Sequence, residues 1–219
     1  MFKKFKSYTA TKVAANTVYQ IAGKIISMSI TMLAVMIITR SYGREEYGAF
    51  SLMQSWPALF FVIVDFGVNA IAARELTKDW SNAGKYLGNI LIIRFLFSLL
   101  IIALLSVVLK FFPYSPELRM GITLGLFILL TQSLYSTANI FFQVKLRYDF
   151  STIAYILGYA VIFILILVLS KSNADIMWVN FSYVIGGIIT FVVSLLFLRK
   201  MGVTPDFSLD KNLLKYLFS

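Results

Sequence analysis

Neither cysteine nor histidine occurs anywhere in the 219 residues. Those absences exclude disulfides, thiolate nucleophiles, imidazole bases and the ordinary zinc sites. Acids are scarce too, ten Asp and Glu against twenty Lys and Arg. An enzyme would have little chemistry to work with, so no catalytic residue, metal or other cofactor is expected. Charged residues make up 14% of the chain, where soluble domains carry about 25%. What fills the space is apolar, 59% of all residues.

A membrane-crossing helix needs roughly 20 mostly apolar residues. Six such stretches lie at 14–39, 49–73, 87–109, 120–143, 151–170 and 177–198. They predict an all-α, polytopic membrane protein: a six-transmembrane-helix lobe over residues 1–198, with a linker over 199–219. Met1-Phe2-Lys3-Lys4-Phe5-Lys6 resembles the start of a signal peptide. The apolar stretch after it is too long and ends at no small-residue cleavage site, so a retained first span is expected. The loops are too short to fold separately.

In this layout thirteen Lys and Arg fall on the face that holds both ends, five on the opposite face, and Lys24 and Arg94 inside spans. Basic loops stay cytoplasmic, which predicts both termini inside a cytoplasmic (inner) membrane of a bacterium or archaeon. The net charge of +10 is scattered over short loops. It reads as a topology signal, and no nucleic-acid partner is expected.

The informative residues are the polar ones at membrane depth. Asn16, Gln20, Lys24, Ser27 and Thr31 are three or four residues apart, which places them on one helix face. The apolar run beyond them, Ile25 to Thr39, is about 22 Å long at 1.5 Å per residue. That is short of a hydrocarbon core of roughly 30 Å, so the stripe must enter the membrane. Span 2 presents Ser51, Gln54, Ser55, Asp65 and Asn69 within one arc. Its Pro57 should kink it and free a carbonyl near Met53. Span 4 presents Gln132, Ser136, Asn139 and Gln143, span 5 Thr152, Tyr155 and Tyr159, and span 6 Tyr183, Gly187, Thr190 and Ser194. Polar side chains often glue helices together. Stripes on several helices favour a shared hydrated cavity, lined by Asn16, Gln20, Gln54, Asn69, Gln132, Asn139 and Tyr155.

Three ionisable residues lie deepest. Lys24 is roughly 16 Å into span 1, Asp65 roughly 12 Å and Arg94 roughly 10 Å from the cytoplasmic ends of theirs. An ionised group at such depth costs about 2.5–3.5 kcal/mol on insertion scales, which points to function. Snorkelling to the interface and a structural ion pair are the alternatives. Lys24 and Arg94 are the expected substrate-binding cations, and Asp65 an ion-coupling group or their counter-charge. Net positive charge suits an anionic headgroup such as a phosphate. Gly121-xxx-Gly125 and Gly186-Gly187 are expected to allow close helix packing.

Several segments resemble the polysaccharide (Wzx-type) flippases of the multidrug/oligosaccharidyl-lipid/polysaccharide exporter superfamily. They are Ala14-Ala15-Asn16-Thr17-Val18-Tyr19-Gln20, Thr39 to Gly48 (TRSYGREEYG), Asp65-Phe66-Gly67-Val68-Asn69 and Arg74-Glu75-Leu76. The likeness follows span order along nearly the whole chain. It implies a protein that moves an undecaprenyl-diphosphate-linked oligosaccharide between leaflets by alternating access of two six-helix lobes, driven by an ion gradient. Of the three deep charges the motifs contain only Asp65.

One lobe is present. The sequence ends where the resemblance places the start of a seventh span, with Ser208 suited to cap it. The expected partners are therefore the lipid-linked oligosaccharide, membrane lipid, and a missing C-terminal lobe or a second copy. Two other functions stay open. A drug/cation antiporter of the same superfamily would want more carboxylate, and a non-transporting scaffold in polysaccharide assembly would need no cavity charge. A glycosyltransferase would need converging acids, and Asp65 is alone at depth.

Overall fold

The computed structural model describes residues 2–65 and 67–208, with side chains from residue 16 onward. All regular structure there is helical: α1 (Phe2–Asp65), α2 (Val68–Lys78), α3 (Ala83–Val108), a 3-10 turn (Leu109–Phe111), α4 (Pro116–Gly125), α5 (Phe127–Val144), α6 (Tyr148–Lys171) and α7 (Ile176–Lys200). Five helical stretches are long and apolar enough to cross a membrane: Asn16–Asp65, Ala83–Phe111, Pro116–Val144, Tyr148–Lys171 and Ile176–Lys200. This is a multi-pass membrane protein. Large apolar side chains point outward along it, Leu59, Val62 and Leu96 among them. In water that would be costly; against acyl chains it is the expected surface.

The first stretch bends at Gly43, whose φ of 79° and ψ of −176° are non-helical. Only glycine adopts that combination without strain. The bend divides α1 into two antiparallel arms, residues 2–42 and 44–65. Tyr19, early in the first arm, accepts a hydrogen bond through its carbonyl from Thr152 near the start of α6. Ile38, late in that arm, packs in one cluster with Ile166 near the end of α6. The second arm returns from Trp56, which stacks edge-on against Phe112, to Asp65 beside Arg94 of α3.

The second predicted span, 49–73, is not one helix. The second arm ends at Asp65, and Gly67 in the left-handed region (φ 74°) starts α2. Left-handed backbone costs other L-residues roughly 1–2 kcal/mol, so a Gly is a natural stop. Pro57 stays within helical geometry instead of breaking the arm. A Cβ on Gly125 would lie 3.2 Å from the Met53 carbonyl that Pro57 leaves without its helical donor, so α4 packs directly over that carbonyl.

Helix ends follow local chemistry. Ser115 Oγ accepts from the Leu118 N–H, with Pro116 and Glu117 in the first turn of α4. Asp175 accepts from the Met177 N–H to start α7, and Arg199 and Lys200 occupy its last turn. Beyond α7 the chain is not a loose linker as far as residue 208. Asp206 N donates to the Gly84 carbonyl (2.9 Å), and Asn89 Nδ2 donates to the Ser208 carbonyl (2.9 Å). The rest of the expected linker, 209–219, where a seventh span would begin, lies outside the described residues.

Two apolar clusters close the two ends of the bundle. One joins Leu76, Leu87, Phe141, Phe142, Phe150 and Leu198. The other joins Ile38, Phe50, Met53, Leu109, Ile122 and Ile166. α6 and α7 meet almost backbone to backbone: a Cβ on Gly158 would lie 2.8 Å from the Gly186 carbonyl, and one on Gly186 2.9 Å from the Gly158 carbonyl. Polar residues of α5, α6 and α7 occupy the stretch between the clusters.

Candidate functional site: a polar cavity with one cation

Four stripes converge. A cavity of about 660 Å³ is lined by Gln20, Lys24, Ser27 and Thr31 of the first arm, Asn139 and Gln143 of α5, and Thr152, Tyr155 and Tyr159 of α6. A second compartment of about 290 Å³ continues it, lined by Gln132 and Ser136 of α5, Tyr183, Gly187 and Thr190 of α7, and Phe61 of the second arm. Tyr135, Asn139, Tyr155 and Tyr159 belong to both walls.

Lys24 is the one charged residue on either wall among the described residues. Its side chain is exposed to the cavity, and among the described residues it makes no ion pair. Behind it the polar groups are ordered. Ser151 donates to Asn139 Oδ1 (2.7 Å) and lies 3.0 Å from the Tyr135 hydroxyl. A hydroxyl has one proton, so Tyr135 is the donor in the second bond, and the Asn139 side-chain nitrogen is left to offer its hydrogens to the cavity. Tyr155 donates to the Tyr159 hydroxyl (2.9 Å), which keeps its own proton.

Arg94, expected on this wall, lies elsewhere. It is 1% exposed, inside the bundle between α3, α5 and the Asp65 turn. Its guanidinium donates to Asp65 (2.7 Å), Asn69 Oδ1 (3.0 Å), the Ser133 carbonyl (3.0 Å) and Thr137 Oγ1 (3.2 Å). A buried guanidinium must find acceptors for its donors, and these helices supply them to both terminal nitrogens, while Nε has no partner among the described residues. Asn69, also expected on the wall, donates to Asp65 and to Ser136 Oγ. Ser136 lines the inner compartment, so the charged cluster stands one side chain behind the cavity. Asn16 is buried and Gln54 is half-buried with Nε2 unpartnered among the described residues; neither lines the cavity. Gln20, Gln132, Asn139 and Tyr155 do.

A family model described as polysaccharide biosynthesis protein matches residues 13–219. The chain belongs to that family. No curated protein and no solved structure matches it. Among the wall residues of this polysaccharide biosynthesis protein that the polar stripes did not include are Tyr135 and Ser151. A signal existed for both. Tyr135 stands three residues after Gln132 and four before Asn139, and Ser151 four before Tyr155, so each shares a face with a residue already singled out.

Proposed function

We propose that this protein carries a lipid-diphosphate-linked oligosaccharide (a repeat unit of O-antigen, capsule or exopolysaccharide) across the cytoplasmic membrane by alternating access, acting as a transporter and not as a catalyst. The two arms of α1 and the four later stretches are six crossings, with both ends on the cytoplasmic side. The observation that carries this reading is the cavity wall: among the described residues it holds a single cation, many neutral hydrogen-bonding groups and no carboxylate. Lys24 is the point charge for a phosphate, and the amide and hydroxyl groups suit a glycan. A cation carrier would need the reverse balance. The same cavity reaches Gln143 and Tyr148, at the α5–α6 turn that also holds Lys145 and Arg147. By the distribution of basic residues that is the cytoplasmic mouth. A second lobe or a second copy completes the path, and the lipid tail stays in the bilayer.

The test is complementation. The complete reading frame, expressed in a strain lacking its own flippase, should restore surface polysaccharide, and Lys24→Gln at equal membrane abundance should not. Unchanged polysaccharide with normal protein levels, or full activity of Lys24→Gln, would overturn the reading.

A further inference from the structure

The two compartments differ in chemistry, and the difference divides the ligand. The outer one holds Lys24; the inner one has no charged residue on its wall among the described residues. An anion moved inward would leave the Lys24 counter-charge and pay for desolvation. The inner compartment instead carries tyrosine rings beside amides. Tyr155 and Tyr159, one helical turn apart on α6, have ring centroids 4.5 Å apart at 39°, and Tyr135 of α5 lies 6.0 Å from Tyr155 at 30°. Tyr183 closes the far side, braced by Phe50 at 5.8 Å.

Ring faces carry negative charge density, and they attract C–H groups made slightly positive by attached oxygens. A pyranose has such C–H groups on its apolar face and hydroxyls around its rim. The compartment presents the complementary set: aromatic rings together with the Tyr159 proton, unpartnered among the described residues, the Asn139 nitrogen and the side chain of Gln132. At 290 Å³ it is at the small end of ligand-sized cavities, which begin at roughly 300 Å³. A single ring fits that space better than a chain of rings.

Resting on the reading of the cavity as a glycolipid path, we propose that the inner compartment is a neutral-sugar site, where Tyr155 and Tyr159 stack one pyranose ring and Gln132 and Asn139 hold its hydroxyls while Lys24 holds the diphosphate outside. The sugar nearest the diphosphate is then read by uncharged groups, so a neutral sugar there is transported and an acidic one is rejected.

The experiment is saturation-transfer NMR on the complete protein in nanodiscs. The probes are neutral methyl glycosides, methyl glucuronide, tetramethylammonium, and farnesyl diphosphate against farnesol. Wild type should transfer saturation to at least one neutral glycoside and not to the glucuronide. Tyr155→Ala/Tyr159→Ala should lower that transfer roughly fivefold or more, as loss of two ring contacts implies. Tyr155→Phe should keep most of it, and Lys24→Gln should leave it unchanged. Retained preference for farnesyl diphosphate certifies the fold of the double variant; if that is lost, Gln132→Ala and Tyr159→Leu carry the test. No neutral-glycoside transfer, tyrosine-independent transfer, equal transfer to the glucuronide, or tyrosine-dependent tetramethylammonium binding in its place would each overturn the proposal. Farnesyl diphosphate binding indifferent to Lys24→Gln would instead remove the diphosphate site proposed above and leave the sugar site standing.

Discussion

Lys24 and Arg94 are both cations within apolar helices, yet the bundle treats them oppositely. Arg94 is sealed, with Asp65, Asn69, Thr137 and the Ser133 carbonyl around its two terminal nitrogens and Nε unpartnered among the described residues. Lys24 faces an open polar cavity, with no ion pair among the described residues. A charge whose terminal nitrogens already have built-in partners can hold helices together but has little left for a ligand. A charge left to a wet cavity adds little to the fold and is available. Depth in the membrane does not distinguish the two roles; only the inventory of partners does.

The largest effect should come from opening the sealed pair. Asp65→Ala leaves a buried guanidinium uncompensated and should cost about 3–5 kcal/mol, read by denaturant unfolding in detergent. Replacing both partners, Asp65→Ala with Arg94→Leu, should recover most of that loss. A double variant as unstable as the single one would mean that the Arg94 stem packs as importantly as its charge is paired.

On the open side, Lys24→Gln should leave stability unchanged and weaken diphosphate binding. One charged hydrogen bond is worth about 1.5–3 kcal/mol, which is roughly tenfold to a hundredfold in affinity. Thermal stability lost in parallel would break the contrast between the two cations.

Helix contacts give the next test. Gly186→Leu forces side-chain atoms between α6 and α7, where the Gly158 carbonyl would lie 2.9 Å from the first carbon. Overpacking of this kind costs about 1–3 kcal/mol, and it should also disturb the neighbouring Gly187–Thr131 edge of the cavity. Gly43→Ala has open space around its new carbon, so its cost of about 1–3 kcal/mol comes from backbone strain alone. Gly48→Ala, equally open but helical, should stabilise by about 0.5–1 kcal/mol. Identical effects from the two glycines would show that the bend at residue 43 is not enforced by its backbone conformation.

The smallest effect concerns the turn before α3. The Ser81 hydroxyl, the Asn82 amide and the Ser81 N–H donate to Asp79 and hold its carboxyl below the usual carboxylate range. A depressed acid stabilises the folded turn above its unfolded value near 3.9 and stops doing so as pH falls through its folded value. Amide exchange at residues 79–83, corrected for its intrinsic pH dependence, should therefore quicken at the acid end in wild type and lose that step in Asp79→Asn.

Much of this cavity was legible from spacing. Gln20, Lys24, Ser27 and Thr31 repeat at helical intervals, as do Gln132, Ser136, Asn139 and Gln143, and a helix that is regular keeps such residues on one face. The same logic failed for Ser51, Gln54, Ser55, Asp65 and Asn69. Gly67 interrupts the helix between Asp65 and Asn69, so the arc is not continuous, and the arm contributes Phe61 to the wall while none of these five residues lines it.

Composition and periodicity alone determined that this chain is helical, lies in a membrane and carries polar faces, because a bilayer admits few other arrangements for so many apolar residues. They could not decide which faces meet, since the rotation of each helix about its axis is set by side-chain packing with neighbours distant in sequence. That packing placed Arg94 against Asp65 and left Lys24 facing open space. Contacts such as Gly158 with Gly186 and Met53 with Gly125, between residues far apart in the chain, are where the decision was made.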